Sequence, residues 1–197
     1  MKARNFFDTN NIYKNGDGLG QLPTENAYVC TIKSAKVTSN EYGEKLEVAI
    51  DVSEGDYAGL YQKKYDYDKS QNEDAKWKGV VRINIPNEDG SEHDSWRIKS
   101  FNTNICAIMD SNPGYTWEWK EETLKGKKVG LVLRDKEYSI DGRSGFYSEP
   151  YRFISVEDAR NNDFRKPAIK YLPTTNTASS SLDLSAVDSA TEDEIPF

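Results

Sequence analysis

Apolar and polar positions alternate most cleanly near residue 50. Leu46, Val48, Ile50 and Val52 are separated by Glu47, Ala49 and Asp51, the period of two that sets one face of a strand in a core and the other in solvent. An earlier strand is expected over 28–37, with Tyr28, Cys30 and Ile32 on one face, and Glu41-Tyr42-Gly43-Glu44 turns the chain between the two. After a turn from Gly55 to Gly59, Tyr61, Lys63, Tyr65 and Tyr67 alternate with Gln62, Lys64 and Asp66, which predicts a third strand over 60–67. Val81, Ile83 and Ile85 predict a further strand over 80–85. The period then changes. Ile98, Phe101, Ile105 and Ile108 recur at helical spacing behind Asp94 as N-cap, and Asn112-Pro113-Gly114 stops the helix. Val129, Leu131 and Leu133 return to alternation, and Asp141-Gly142 with Gly145 predicts a hairpin from 136–140 into 146–154. Ser155-Val156-Glu157-Asp158 then opens a short helix, its Ser paired with the acid three positions on.

Strands, one helix, then more strands define a mainly β chain with one helix. An OB-fold has five strands in a Greek-key barrel, so the six or seven expected here require extra strands or an elaborated hairpin. Another small β-barrel or a sandwich fits the same pattern. Residues 1–26 form a polar, Gly-rich lead-in arm. Gly16, Gly18 and Gly20 make no phosphate loop there, because no strand precedes them and no helix follows. Residues 27–172 form the body and 173–197 a tail, reached through an extended exit bracketed by Pro167 and Pro173. A length of 197 residues suits one domain with such an extension.

From about Thr174 onward the chain holds five acids, Asp183, Asp188, Glu192, Asp193 and Glu194, and no Lys or Arg. So polar a segment buries too little apolar surface to offset its ordering entropy, and disorder is expected. As a coil its 24 residues would span about 27 Å r.m.s.. Charge follows the same division. The chain has 26 Lys and Arg against 33 Asp and Glu; removing the five tail acids leaves 28, a net of −2 for the rest. A near-neutral body holds phosphates only through local basic stripes. No apolar run reaches the roughly 20 residues that span a bilayer, and the start lacks the apolar stretch of a secretion signal. Cys30 and Cys106 lack metal-type spacing and each sits among apolar neighbours, so buried free thiols in a cytoplasm are expected.

The run Glu192-Asp193-Glu194-Ile195-Pro196-Phe197 resembles the C-terminal tip of bacterial and phage single-stranded DNA-binding proteins. That resemblance implies an OB-fold body that coats single strands in replication, recombination and repair. It also implies a tip, Asp193, Glu194, Ile195, Pro196 and Phe197, that recruits partner enzymes. The stretch from Ser95-Trp96 through Asp110–Tyr115 to Lys125–Val129 is similar to small proteins of phage replication and recombination gene clusters. The body matches none of the bacterial family's strand motifs.

Single strands are held by rings that stack on bases and cations that track phosphates. The expected third strand offers Tyr61, Lys63, Tyr65 and Tyr67 on one face; the plain alternative is that these tyrosines bury their rings. Lys76-Trp77-Lys78 and Arg82 lie just beyond, and Lys127 and Lys128 with Lys125 line a further edge or simply a solvated surface. Trp117 and Trp119 beside Tyr115 anchor a loop or bind; Tyr138, Tyr147, Tyr151 and Arg152 on the last hairpin come after these. No cofactor and no metal is expected. His93, the single histidine, sits in an acidic turn and gives catalysis little support. The reading is a non-enzymatic single-stranded DNA-binding protein, with homo-oligomerisation left open. The rival is a protein-interaction adaptor of a replication or recombination complex that does not touch DNA.

Overall fold

The computed structural model describes residues 20–41, 43–140 and 142–173, with the backbone alone at His93. The expected tail from 174, its tip included, and the arm up to residue 19 lie outside the described residues. β1 (Tyr28–Asn40) and β2 (Gly43–Val52) form a hairpin, and α1 (Leu60–Gln71) leads from β2 to β3 (Val80–Asn84). Next come α2 (Glu92–Asp110), a 3-10 turn over Glu121–Leu124, the long hairpin of β4 (Lys128–Ile140) and β5 (Arg143–Ile154), and α3 (Val156–Asn161). The five strands make one antiparallel sheet in the order β3-β2-β1-β4-β5. The protein is thus mainly β with few helices. No ladder joins the two outer strands, so the sheet is not closed into a barrel.

The two hairpins meet over a short seam. Tyr28–Thr31 of β1 pair with Lys128–Leu131 of β4, and only four residue pairs are involved. A bulge between Ile32 and Ser34 then turns β1 away. The turn after Leu124 takes over the exposed backbone: Gly126 N–H donates to the Ile32 carbonyl and Ile32 N–H to that of Lys127. One face of the sheet carries Ile32, Val48, Ile50, Leu131 and Phe153 into a core shared with Phe101, Ile105 and Ile108 of α2. The opposite face packs Val29, Val132 and Ile154 under Val156 and Ala159 of α3. Gly130 makes this approach close, since a Cβ there would lie 2.5 Å from the Ser155 carbonyl oxygen.

Five expectations are corrected. Residues 60–67 are the start of a helix and not a strand. Their alternation mimics a strand, but Leu60–Gln71 contains no β-branched residue, and Leu, Gln and Lys favour helix. Gln62 Nε2 donates to Asp66 Oδ1 at 2.9 Å across one helical turn. Second, the separate strands expected around 129–133 and 136–140 are one continuous strand, β4, which with α1 brings the count to five. Third, Ser91 and not Asp94 caps α2, its Oγ accepting the Asp94 N–H at 3.0 Å. Asp94 instead turns inward to accept the Asn87 N–H at 2.7 Å. The lead-in arm also ends earlier than expected. Leu22 joins the core, and Thr24 donates to Asp135 at 2.8 Å. Of the thiols, Cys30 is buried as expected but Cys106 is exposed on α2.

Gly59, in the left-handed region, precedes α1 and offers no side-chain cap. Its place is taken from a distance: buried Asp51 of β2 accepts the Tyr61 N–H at 3.0 Å. Asp51→Ala should cost about 1–2 kcal/mol of unfolding free energy, and Asp51→Asn, which keeps an acceptor, clearly less. Urea denaturation of the two variants checks this; equal losses would mean that the contact is not a cap.

Candidate nucleic-acid interface

Beyond Leu133 the β4–β5 hairpin runs past the rest of the sheet. Its outer face is set by register: Arg134 lies opposite Glu149, Lys136 opposite Tyr147, and Tyr138 opposite Gly145. A bulge between Val132 and Leu133 makes Tyr151 the extra residue of β5 there, and the Arg134 guanidinium sits 4.5 Å from its ring centroid. Lys136 Nζ is 5.9 Å from the Tyr147 ring, whose centroid is 6.4 Å from that of Tyr138. Tyr138 in turn lies over Gly145, where a Cβ would come within 3.1 Å of its ring. Two cations and three rings therefore share one face, Arg134 against Tyr151 and Lys136 against Tyr147.

Glu149 ties the row together. It accepts from Arg134 Nη2 at 2.9 Å and from Lys136 Nζ at 3.1 Å. Burial pushes this carboxyl up, but the hydrogen bonds from Arg134 and Lys136 outweigh burial and hold it below the usual range. For Lys136 burial favours the neutral form, and Glu149 reverses this and raises it. Two cations against one carboxylate leave the face with a net positive charge. On the hairpin's other side the exit chain runs beside β4: Lys170 N–H donates to the Asp135 carbonyl and Glu137 N–H to that of Lys170. Phe146 meets Tyr171 edge to face at 6.1 Å.

The residues first expected to hold DNA are not gathered into one row. Tyr61 is buried on α1, and its ring occupies the space beside Gly79, where a Cβ would fall 2.6 Å away. Trp77 is half-buried, its Nε1 donating to the carbonyls of Ile50 and Gly79, both at 3.1 Å; it anchors the loop before β3. Tyr65 packs on Trp77 with centroids 5.6 Å apart. Tyr67 is exposed, as are Lys63 and Lys76. Three of the cations are ion-paired, Lys78 with Asp68 at 2.6 Å, Arg82 with Glu47 at 3.0 Å and Lys128 with Glu54 at 2.8 Å. Hydrogen bonds from Arg160 and Lys128 hold the Glu54 carboxyl at about 2. Lys127 Nζ lies 4.5 Å from the Tyr115 ring. Arg152 sits outside the row, its Nη2 donating to the Arg165 carbonyl at 3.3 Å.

Tyr138, Tyr147 and Tyr151 rank last among the candidates expected from sequence, and Arg134 and Lys136 are not among them. Their signal was present, as cations and a ring at every second position from 134 to 138. Among the described residues no His, Cys, Asp or Glu side chains cluster in threes as a metal would require. No helix among them is long and apolar enough to cross a membrane. No protein-family model matches the chain, and no curated protein sequence matches it.

Because the Glu149 carboxyl is lowered in the folded protein, its contribution is present above the ordinary value of 4.5 and is lost as pH falls below it. Glu149→Gln should therefore cost roughly 1–2 kcal/mol at pH 7. The difference from wild type should shrink at pH 3, as followed by denaturant unfolding at both. An equal deficit at the two pH values would show that the carboxylate charge is irrelevant.

Proposed function

We propose that this protein binds single-stranded DNA without reading sequence, in replication, recombination or repair. In this reading the acidic segment ending in Ile195-Pro196-Phe197 recruits partner enzymes. The observation that carries the proposal is the outer face of the β4–β5 hairpin. Tyr151, Arg134, Lys136, Tyr147 and Tyr138 there set cations beside rings, the combination that holds unpaired nucleotides through phosphates and base faces.

Topology supports the reading. The strand order, with α2 between β3 and β4 and with β3 and β5 lying near each other at the open edges, suits a partly open Greek-key barrel of the OB type. Such barrels take oligonucleotides on strands 2–3 and on the loops joining strands 1–2 and 4–5. The resemblance of residues 192–197 to the tip of single-stranded DNA-binding proteins points the same way. A modest net charge on the face fits strand binding that is weakened but not governed by salt. The adaptor reading draws on a different feature, the exposed apolar side chains Ile140, Phe146, Ile169 and Tyr171 on the hairpin and exit chain. One titration separates the two readings.

Labelled oligo-dT should bind the whole protein and lose affinity as salt rises. Tyr147→Ala should weaken binding about tenfold, for a stack worth about 1–3 kcal/mol. Glu149→Gln should tighten it roughly two- to fivefold at low ionic strength by removing the one carboxylate in the row. Anisotropy titrations at two salt concentrations check all three. Absence of oligo-dT binding by the wild type would refute the proposal in favour of the adaptor.

Deleting residues 174–197 should tighten DNA binding at low salt, because its carboxylates compete for the same cations. Removing Phe197 alone should leave DNA affinity unchanged while partner capture fails. Weaker DNA binding by the truncated protein would refute the competition.

A further inference from the structure

The loop between α2 and β4 is braced at both its base and its crown. At the base, Asn112 Nδ2 donates to the Lys128 carbonyl at 2.7 Å, and Lys128 N–H donates to Asn112 Oδ1 at 3.0 Å. At the crown the Tyr115 and Thr123 hydroxyls share a hydrogen bond at 2.8 Å. Thr123 also donates through Oγ1 to the Lys120 carbonyl at 2.7 Å. These contacts fix the backbone on either side of Trp119.

Trp119 itself has φ 60, the left-handed region that a bulky side chain normally avoids. That conformation lays its ring flat on Phe101 of α2, with centroids 5.5 Å apart and planes 10° from parallel. Trp117 closes one side at 6.2 Å. Phe101 is buried, yet Trp119 remains 69% exposed. A tryptophan that served only to fill the core would bury most of its ring. This one covers Phe101 with one face and leaves the other to solvent. Apart from half-buried Trp117, its chain neighbours Thr116, Glu118, Lys120, Glu121 and Glu122 are polar or charged, with Lys120 paired to Glu118 at 3.6 Å, so the exposed ring is set in largely polar surroundings. A flat π face in polar surroundings suits a planar ligand with a polar rim.

We propose that Trp119 is a preorganised stacking platform for one nucleobase of a single strand, separate from the hairpin row. The inference rests on the DNA-binding reading and adds a specific ring to it. Strain in the backbone and the stack on Phe101 fix the ring before the base arrives, so little side-chain freedom is lost on binding.

The test compares Trp119→Ala and Trp119→Phe in the full chain, titrated with labelled oligo-dT at several salt concentrations. Trp119→Ala should weaken binding roughly 5- to 100-fold, with the salt dependence unchanged because no phosphate contact is removed. Trp119→Phe should keep most of the affinity but lose part of the intrinsic fluorescence quenching on saturation. Both variants should unfold within a few degrees of wild type. Wild-type affinity in Trp119→Ala would overturn the platform while leaving the DNA-binding reading intact. Equal losses in the two variants would also overturn it, because the loop and not the ring would then be responsible. Failure of the wild type to bind oligo-dT would remove both.

Discussion

Four residue pairs hold the two halves of this sheet together. Each hairpin is largely local, β1 folding onto β2 and β4 onto β5 through neighbouring residues in sequence. The seam of Tyr28–Thr31 with Lys128–Leu131 is the long-range contact that makes one sheet of them, and its loop-closure entropy is met late in the chain. Cys30, Val129 and Leu131 on the seam are fully buried, so register there decides which side chains enter the core. A slip by one residue would turn Leu131 and Leu133 away from the α2 core and onto the opposite face of the sheet. The seam ends at Leu131 because β1 begins at Tyr28, and β4 continues beyond it without β1.

That freedom produces the candidate interface. Past Leu131, β4 no longer pairs with β1, and its edge is met by the exit chain at Lys170. The overhanging hairpin keeps its strand alternation without a core to bury, so positions that would carry apolar residues carry Arg134, Lys136 and Tyr138 instead. Rings half-covered by cations and braced by Glu149 remain ordered while facing outward. Order matters because a stacking surface fixed in advance loses less entropy when a flexible strand settles on it. Trp119 reaches the same end by other means, through a strained backbone and a buried ring behind it.

Much of the fold is legible in the sequence where one periodicity dominates. Leu46, Val48, Ile50 and Val52 mark β2, Phe101, Ile105 and Ile108 mark the buried face of α2, and Ser155 marks the start of α3. Legibility fails at α1, where Tyr61, Lys63, Tyr65 and Tyr67 alternate by coincidence and only the missing β-branched residues speak against a strand. It fails again for the site. The row on the hairpin depends on Lys136 facing Tyr147 and Arg134 facing Glu149, and such pairings appear only once register is known. Trp77 shows the opposite error. Flanked by lysines it reads as exposed, whereas its indole N–H is held by two carbonyls. Local composition reports what a side chain can do, and register decides which of these it does.

Unpaired nucleotides bound on the β4–β5 hairpin and on the loop before β4 would shield the backbone amides there. Hydrogen–deuterium exchange of the full chain with and without oligo-dT tests this most directly. Slowed exchange is expected over residues 134–151 and 115–120, with α1 unchanged. Protection confined to α1 and the Lys76–Lys78 segment, or none anywhere, would contradict binding on the hairpin and loop.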